Sequence, residues 1–360
     1  MREKKRIFVA ALNWGLGHAT RCIPIIEALQ KANVSVILGS DGQAGAFWRA
    51  HFPDLTYIAL PAYGISYPYQ SMFWNMATQL PRIYRTMRQE RQMLADIVQQ
   101  QRINAIISDN RFGLSHEKLF SVFMSHQINP IIPNFVLQKL AHSYYHRLIA
   151  RFSQCWVVDT PVSDWAGQLS ALGGTKLRGE YIGALSRFQS FAALQLPKLY
   201  EVIFCLSGVE PQRSIFEQLC LAQARLFPQK RFLLIKGLPD FVPAGYFETP
   251  NLEIRAFCHT AELFSILQQA ETVVARAGYS TIMDFYQIGL KKVILVPTPA
   301  QTEQEFLAKR LQGQKIAYTC AQNNFNLAHA LRQLADFSGF AVPQTDDLLA
   351  TAVENLLARL

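Results

Sequence analysis

The chain has 360 residues, of which 50% are hydrophobic and 17% are charged, a composition that excludes general disorder. A chain of this length exceeds what one ordinary hydrophobic core holds, which predicts two domains. The net charge of +9 is uneven, because residues 1–183 carry 19 basic and 11 acidic side chains whereas residues 184–360 carry 16 and 15. The excess of basic over acidic side chains predicts an anionic partner for the first half: a nucleic acid, a membrane surface or an acidic substrate.

Cysteine usage and the start of the chain both predict a soluble, cytoplasmic protein. The six cysteines are scattered without C-x-x-C spacing, as expected for reduced thiols of a protein core. The basic residues 1–6 precede an apolar run that is too short for a signal peptide. The sequence has no stretch of about 18 apolar residues that could cross a membrane.

Short β-branched runs alternate with helix-spaced apolar patterns along the first half of the chain. The predicted strands are residues 7–12, 34–39, 55–60, 105–108, 130–132 and 156–158. The predicted helices are residues 20–31 and 79–101. Such alternation is typical of βαβ units around a parallel sheet.

The second half repeats the alternation. Its predicted strands are residues 201–206, 231–235, 252–257, 272–275 and 293–296, and its predicted helices are residues 214–226, 260–269, 280–288 and 303–312. The whole pattern predicts an α/β protein with two doubly wound, Rossmann-like domains that face a central cleft. The domains are residues 1–183 and 198–340, with a linker at 184–197 and a terminal helix within 345–360 that could pack back on the first domain. In such folds ligands bind beyond the carboxyl ends of the strands.

The loop after the first predicted strand, residues 13–21, reads Asn-Trp-Gly-Leu-Gly-His-Ala-Thr-Arg. Gly15 and Gly17 let the backbone turn sharply and approach a ligand, and a helix start offers N–H groups to an anion. The loop falls short of a dinucleotide fingerprint because Thr20 stands at the third glycine position. His18 lies at the helix start, whose positive end lowers its pKa and favours the neutral, proton-accepting imidazole. The ordinary alternative is a histidine that only caps the turn.

A loop of the second half, residues 274–284, has the features of a phosphate site. A predicted strand ends at Arg276, Gly278 turns the chain, and Ser280 and Thr281 open a helix whose N–H groups can hold a phosphate. Asp284, one turn further on, can accept hydrogen bonds from two ribose hydroxyls.

The next strand-to-helix loop, residues 297–308, brings Glu303 and Gln304 to the same edge of the predicted sheet. An acidic and an amide side chain then lie beside a phosphate-binding turn. These groups together fit a nucleotide ligand.

The combination of these motifs resembles a known family. A Gly-x-Gly-His loop after the first strand, Arg-Ala-Gly-x-x-Thr-x-x-Asp at 276–284 and a later Glu-Gln are similar to the MurG-like glycosyltransferases, in the branch with a Gly-x-Gly-His-Ala-Thr-Arg loop. The resemblance extends from about residue 7 to residue 315. It implies an inverting GT-B enzyme of glycosyltransferase family 28 type that uses a UDP-sugar, typically UDP-N-acetylglucosamine (UDP-GlcNAc).

The resemblance also implies site residues. Those that would contact the donor are Gly15, Gly17, Arg187, Ser207, Gly208, Phe257, Cys258, Arg276, Gly278, Tyr279, Ser280, Thr281, Asp284, Glu303 and Gln304. Arg187 would meet the phosphates, the backbone at 257–258 the uracil ring, and Gln304 the sugar hydroxyls. Gly278 to Thr281 would hold phosphate and Asp284 the ribose.

Three positions depart from the family pattern. The loop at Ser207 is poorer in glycine than usual, Asp284 replaces the common glutamate, and Glu305 stands where a second glutamine is usual. The last departure bears on the identity of the sugar.

Direct displacement needs a base for the acceptor hydroxyl. His18 is the first candidate and Asp109 the second. The alternative for Asp109 is a helix cap or a salt bridge to Arg111. We expect no metal, because the sequence has no D-x-D or H-E-x-x-H motif, and the pair His142 and His146 lacks a third ligand.

The basic excess of the first half includes one region with membrane-binding character, residues 63–91. Its aromatic residues are Tyr63, Tyr67, Tyr69, Phe73 and Trp74, and they precede a predicted helix with Arg82, Arg85, Arg88 and Arg91. Aromatic side chains beside a basic helix suit an anionic membrane surface, and the ordinary alternative is a core edge beside a solvated face. Nucleic acid is not expected, because the chain has no recognised nucleic-acid module.

The leading predicted function is transfer of a sugar from a UDP-sugar to a cell-envelope glycan or lipid-linked acceptor, with GlcNAc as the first candidate for the sugar. The alternatives are a sugar-nucleotide 2-epimerase of the same fold and a non-catalytic nucleotide-sugar-binding protein. An NAD-dependent dehydrogenase ranks last because the stronger nucleotide motif lies in the second half.

Overall fold

The computed structural model describes residues 4–65, 72–132, 134–161, 165–238, 245–343 and 347–360, with side chains described for all of these except residues 72–77. The chain forms two compact units. The first unit comprises Met1–Ser186 and Thr345–Leu360, and the second comprises Arg187–Gln344. The division at residue 186 falls within the stretch predicted as the linker.

The described part of the first unit holds a seven-stranded, fully parallel sheet. Its strands are β1 (Arg6–Ala11), β2 (Ser35–Ser40), β3 (Thr56–Ala59), β4 (Ala105–Asp109), β5 (Phe120–Ser125), β6 (Gln154–Val157) and β7 (Gly179–Tyr181). Its helices are α1 (Gly17–Arg21), α2 (Ile23–Lys31), α3 (Gly42–His51), α4 (Met72–Gln101) and α5 (Phe135–Ile149). The strand order is β3-β2-β1-β4-β5-β6-β7.

The second unit holds another seven-stranded sheet within its described residues. Its strands are β8 (Tyr200–Cys205), β9 (Phe232–Ile235), β10 (Tyr246–Thr249), β11 (Leu252–Arg255), β12 (Ala270–Ala275), β13 (Val293–Leu295) and β14 (Tyr318–Thr319). Its helices are α6 (Gln212–Arg225), α7 (Thr260–Gln268), α8 (Tyr279–Ile288), α9 (Thr302–Gly313) and α10 (Leu327–Gln333). The order is β10-β11-β9-β8-β12-β13-β14, and among these described strands only the pairing of β10 with β11 is antiparallel.

The terminal helix α11 (Leu348–Leu357) belongs to the first unit although it follows the second in the chain. It packs against α2. Its buried side chains, Leu349, Ala352, Val353 and Leu356, recur at helical spacing and form its apolar face.

Both sheets reverse their winding direction next to their first strand. In the first unit the chain winds outward from β1 in one direction through β2 and β3, and in the other through β4. In the second unit the corresponding reversal lies between β8 and β12. Ligands of doubly wound sheets bind in the crevice at such a switch point, beyond the carboxyl ends of the strands.

Most of the predicted strands and helices are present within one to three residues of their expected ends. The strand predicted at 130–132 is wrong, because this segment, which begins at Pro130 and is followed by Pro133, is a loop, and β5 at Phe120–Ser125 takes its place in the sheet. Proline has no N–H to donate to a sheet, which disfavours the predicted strand. Helices α3 and α5 and the short strand β7 are further elements of the first unit that the sequence patterns did not predict.

The described residues lack two features, a membrane-spanning helix and a cluster of metal ligands. None of their helices combines the length and the apolar character that crossing a bilayer requires. In the same residues, no three or more His, Cys, Asp and Glu side chains are grouped so that they could hold a metal ion.

Candidate functional site

His18 and Asp109 meet at the switch point of the first unit. His18 lies in α1, directly after the loop that follows β1, and Asp109 is the last residue of the neighbouring strand β4. The Nδ1 atom of His18 lies 3.1 Å from Oδ1 of Asp109. The two candidate bases that the sequence suggested separately therefore form one histidine–carboxylate pair, and Asp109 does not contact Arg111 as the alternative proposed.

The protonation of this pair is set by burial and by a third residue. Burial lowers the pKa of His18, the Asp109 carboxylate raises it and the Arg21 charge lowers it, with a net lowering. The direction agrees with the sequence-based expectation, but burial and not the helix start is the main cause. For Asp109, burial raises the pKa, but the charges and hydrogen bonds of Arg21 and His18 outweigh burial and lower it to about 2.

Arg21, on the same short helix as His18, is the third member of this cluster. Its Nε donates to Oδ2 of Asp109 at 2.7 Å, and its Nη2 donates to Oδ1 of the same carboxylate. The Nη2 atom also lies 2.9 Å from Nδ1 of His18. Because a guanidinium only donates, Nδ1 of His18 either donates to Asp109 or accepts from Arg21.

His126, directly after β5, closes the cluster on its other side. Its Nδ1 lies 2.6 Å from Nη1 of Arg21 and must accept, which places the ring proton of a neutral His126 on Nε2. His126 was not predicted as a site residue, because a strand was expected at 130–132 and not at β5. The spacing of His18 and Arg21, three residues apart on one helix, was the available signal for Arg21.

Arg111 belongs to a separate buried network behind the first loop. Its Nη1 donates to Asp41 at 2.7 Å and its Nε to Glu90 at 2.6 Å. Glu90 also accepts from the hydroxyl of Tyr63 at 2.6 Å, and Asp41 accepts from Asn13 of the first loop at 3.2 Å. The network joins the carboxyl end of the sheet to α4 and supports the loop that carries His18.

In the second unit, the predicted donor residues follow neighbouring strands at the switch point. Ser207 and Gly208 follow β8, Arg276 follows β12, and Gln304 lies in α9 after β13. Gly208 has a φ of +105°, a conformation that favours glycine. Gly278 is the N-cap of α8 and has no side chain to cap the helix, so the first turn, including Tyr279, Ser280 and Thr281, is of the kind that holds phosphate.

Arg276 lies beneath this edge with a side chain that is only 1% exposed. Its Nη1 donates to the carbonyls of Val296 and Pro297 at 3.1 and 3.3 Å, and its Nη2 to the carbonyl of Gln212 at 2.7 Å and to Gln322 at 2.6 Å. None of these partners is a carboxylate. Burial lowers its pKa to about 10, so it remains cationic at neutral pH. Arg276 therefore stabilises the loops whose carbonyls it binds, and we expect it to affect a ligand through these loops and not by direct contact.

Arg187 and Asp284 contact each other. The Nε atom of Arg187 donates to Oδ2 of Asp284 at 2.9 Å, and both side chains are largely buried. Burial raises the pKa of the neighbouring Cys205 thiol to about 11, with Arg187 and Asp284 close enough to act on it in opposite directions. The residues predicted for the phosphates and for the ribose are thus brought together at the end of β8.

The remaining predicted donor residues of the second unit lie after β11 and in α9. Cys258, after β11, is buried, with burial raising its pKa to about 12, and the ring of the adjacent Phe257 packs edge-on to His259 at 5.5 Å. Gln304 uses its Oε1 to accept the backbone N–H of Thr298 at 2.8 Å, which fixes the loop after β13. Glu303 is in the first turn of α9.

The histidine pair of α5 and the aromatic residues of 63–91 were also considered as functional groups from the sequence. His142 and His146, on α5, direct Nε2 atoms to the carbonyls of Pro130 and Ile128 at 2.8 and 3.1 Å and so hold the loop after β5.

Tyr63 is buried and is not a surface aromatic as the membrane interpretation required. Tyr67 and Tyr69 lie outside the described residues, as do the side chains of Phe73 and Trp74.

Residues 203–358 match the model of the glycosyltransferase family 28 C-terminal domain. The matched stretch begins within β8 and contains β9 to β14, and it holds the predicted donor residues of the second unit except Arg187. No curated protein matches the chain in sequence. The family match confirms the prediction that the chain is a glycosyltransferase.

Solved glycosyltransferases share the fold at low sequence identity. The glycotransferase of kitacinnamycin is 15% identical with a TM-score of 0.66, over 99% of this chain and 95% of that one. MurG of Acinetobacter baumannii is 11% identical with a TM-score of 0.55, over 99% of this chain and 100% of that one. The spinosyn rhamnosyltransferase SpnG, solved with thymidine diphosphate, is 14% identical with a TM-score of 0.57, over 98% and 95%. These similarities confirm the predicted GT-B fold class with two Rossmann-like sheets.

Proposed function

We propose that the chain is an inverting glycosyltransferase that moves a sugar from UDP to a hydroxyl of a cell-envelope glycan or lipid-linked acceptor. The first candidate for the sugar is GlcNAc. The observation that carries the chemistry is the 3.1 Å contact between His18 Nδ1 and Asp109 Oδ1 at the switch point of the first unit. With Nδ1–H donated to Asp109, Nε2 of His18 is the proton acceptor. The acceptor oxygen then bonds to the anomeric carbon, its proton passes to Nε2, and the bond to the UDP oxygen breaks with inversion.

The donor would be held by the second unit. The start of α8 at Gly278 suits the diphosphate, and Asp284 suits the ribose hydroxyls. Arg187 is placed to stabilise the leaving-group charge together with the helix starts, a role that does not call for a metal. We propose this metal-independent route because the sequence also lacks a D-x-D motif.

Helices α4 and α5 carry the exposed apolar and basic side chains that would contact a membrane. Leu80 and Tyr84 of α4 are 52% and 63% exposed, beside the exposed Arg82, Arg85, Arg88 and Arg91. On α5 an exposed apolar group is formed by Phe135, Val136, Leu137, Leu140 and Tyr144. Helix α5 also carries Lys139 and Arg147 and has no acidic residue. Basic and apolar side chains on one pair of helices suit contact with an anionic bilayer that presents a lipid-linked acceptor.

A second candidate is transfer from a TDP-sugar to a small-molecule acceptor. It is favoured by the solved structures of similar fold, which include the kitacinnamycin enzyme and SpnG with thymidine diphosphate. This alternative keeps the same base and the same donor unit and changes only the nucleotide and the acceptor.

Nucleotide binding and turnover test the proposal together. Thermal shift with UDP, TDP, GDP, NAD and the corresponding nucleotide sugars identifies the donor, since a ligand that binds the folded state raises the unfolding midpoint. His18→Ala should reduce transfer by at least about a hundredfold with UDP affinity unchanged. His142→Ala, a histidine of the same unit that holds a loop, is the matched control and should retain transfer.

Several outcomes would contradict the proposal. Stabilisation by NAD alone would exclude a sugar donor, and stabilisation by TDP alone would favour the second candidate. Epimerisation of the donor sugar without any acceptor would identify an epimerase. Donor binding without turnover on any acceptor would identify a binding protein.

A further inference from the structure

Thr298 carries a buried hydroxyl group. It follows β13, is 2% exposed, and its backbone is fixed at both ends: its N–H donates to Gln304 Oε1 at 2.8 Å and its carbonyl accepts from Gln301 N at 3.1 Å. Among the described residues, Oγ1 of Thr298 has no hydrogen-bond partner. Buried polar atoms are nearly always paired, so an exception calls for a specific explanation.

The hydroxyl lies at the switch-point crevice of the second unit. A Cβ atom placed on Gly208 would lie 3.9 Å from Thr298 Oγ1, an ordinary van der Waals contact. Gly208 follows β8 and Thr298 follows β13, and β12 lies between these two strands. The hydroxyl therefore lies close to the Gly208 turn, on the side of the sheet edge where β12 ends and α8 follows.

Arg276 places a positive charge beneath the same crevice. It binds the carbonyls of Val296 and Pro297, directly before Thr298, and the carbonyl of Gln212 in α6, the helix that follows the Gly208 turn. Its described partners are carbonyl and amide oxygens, and its Nε atom has none among the described residues. A buried cation that is not neutralised by a carboxylate favours an anion nearby.

We infer that Thr298 is a binding residue for the donor, with its hydroxyl donating to an oxygen of the diphosphate in the crevice between Gly208 and the start of α8. A phosphate oxygen only accepts, which matches a hydroxyl that lacks an acceptor within the protein. The inference rests on the proposed function, since it names a further contact of the same nucleotide-sugar site.

Thr298→Val tests the inference because valine has the same shape and lacks the hydroxyl. Removing a buried hydroxyl without a partner should leave the unfolding midpoint unchanged or raise it. Thr319→Val is the matched control, because Oγ1 of Thr319 donates to Gln312 at 2.6 Å in the same unit, and this variant should lower the midpoint. Calorimetric titration with UDP, uridine and inorganic pyrophosphate completes the experiment.

We expect Thr298→Val to weaken UDP and pyrophosphate binding by roughly tenfold, with uridine affinity unchanged, and Thr319→Val to bind all three as the wild type does. Wild-type affinity for UDP in Thr298→Val, or a midpoint lowered as far as in Thr319→Val, would overturn the inference. A wild type that binds neither UDP nor TDP contradicts the proposed function instead. In that case, loss of pyrophosphate binding in Thr298→Val would still support the anion contact, and unchanged pyrophosphate binding would overturn it.

Discussion

The guanidinium of Arg187 and the carboxylate of Asp284 form a hydrogen-bonded ion pair at 2.9 Å, although they are expected to bind different parts of the donor. The pair fixes the orientation of Asp284, a carboxylate that can accept hydrogen bonds from ribose hydroxyls. Arg187 is 15% exposed in its side chain, so it also has a face towards solvent that can meet a phosphate.

The first prediction concerns the ribose. Asp284→Asn should weaken UDP binding by roughly tenfold or more, because it removes a charged acceptor for the ribose hydroxyls. The variant should also lose the preference of the wild type for UDP over 2′-deoxy-UDP, measured by calorimetric titration. Arg187→Gln is the comparison variant: it should weaken UDP binding but preserve the preference for the 2′-hydroxyl. Unchanged discrimination in Asp284→Asn would show that the ribose lies elsewhere.

The second prediction concerns acid stability. The pKa of Asp109 is lowered to about 2, so the stabilisation by its ionised form is complete above the unfolded pKa near 4 and is lost as the pH falls towards 2. Its contribution to the free energy of unfolding at pH 7 is roughly 2 kcal/mol. Urea denaturation between pH 5 and pH 2 should show this loss in the wild type and not in Asp109→Asn.

Asp159→Asn is the control for that measurement. Asp159 is also buried in the first unit, but burial raises its pKa above the ordinary value even though it accepts several hydrogen bonds. Its replacement should therefore leave the loss of stability near pH 2 in place. A wild type whose stability is constant down to pH 2 would argue against the ion pair of Asp109 with Arg21.

The third prediction concerns the pH dependence of turnover. The Asp109 carboxylate raises the pKa of His18 against the lowering by burial and by Arg21. Asp109→Asn should therefore move the acidic limb of the kcat/KM profile to lower pH. It should also reduce kcat by at least about a hundredfold. Nδ1 of His18 would then accept from Arg21, and the imidazole ring would carry its proton on Nε2, the atom that must accept the proton of the substrate. An acidic limb that stays in place would mean that the titrating group is not His18.

The fourth prediction concerns membranes. Reversing the charge of Arg82, Arg85, Arg88 and Arg91 should reduce co-sedimentation with vesicles of anionic lipid by at least about tenfold at low salt, because each basic side chain contributes about 1 kcal/mol at such a surface. The control reverses four exposed basic residues of the second unit, Arg225, Arg231, Lys309 and Lys315, and should bind as the wild type does. Equal losses in both variants would point to net charge alone, and no binding by the wild type would refute membrane contact.

Sequence patterns predicted the fold class and the loops because these are local features. The β1 loop with His18 and the segment from Arg276 to Asp284 are continuous in sequence, and a parallel sheet brings both kinds of loop to its carboxyl edge. The contacts between side chains were not predictable in this way. Arg21 and Asp109 are 88 residues apart, and the sequence suggested Arg111, two residues away, as the partner of Asp109.

The remaining differences have physical causes too. The strand at β5 was missed because the segment at 130–132 has a higher share of β-branched residues, and only Pro130 and the following Pro133 argue against a strand there. That the Thr298 hydroxyl has no hydrogen-bond partner among the described residues could not be predicted from the sequence, because it depends on which acceptors the folded loop brings within hydrogen-bond distance. Such atoms are found only when every donor and acceptor of a fold is accounted for.

The packing of α11 against α2 has a consequence for the order of folding. Residues 345–360 complete the first unit, yet a ribosome reaches them only after the whole second unit has been synthesised. Until then the surface of α2 that α11 covers is open to water, so the first unit cannot reach its final stability during translation of residues 187–344. A polypeptide that stops before residue 345 would leave this surface permanently uncovered, and its first unit, not its second, should be the part that aggregates.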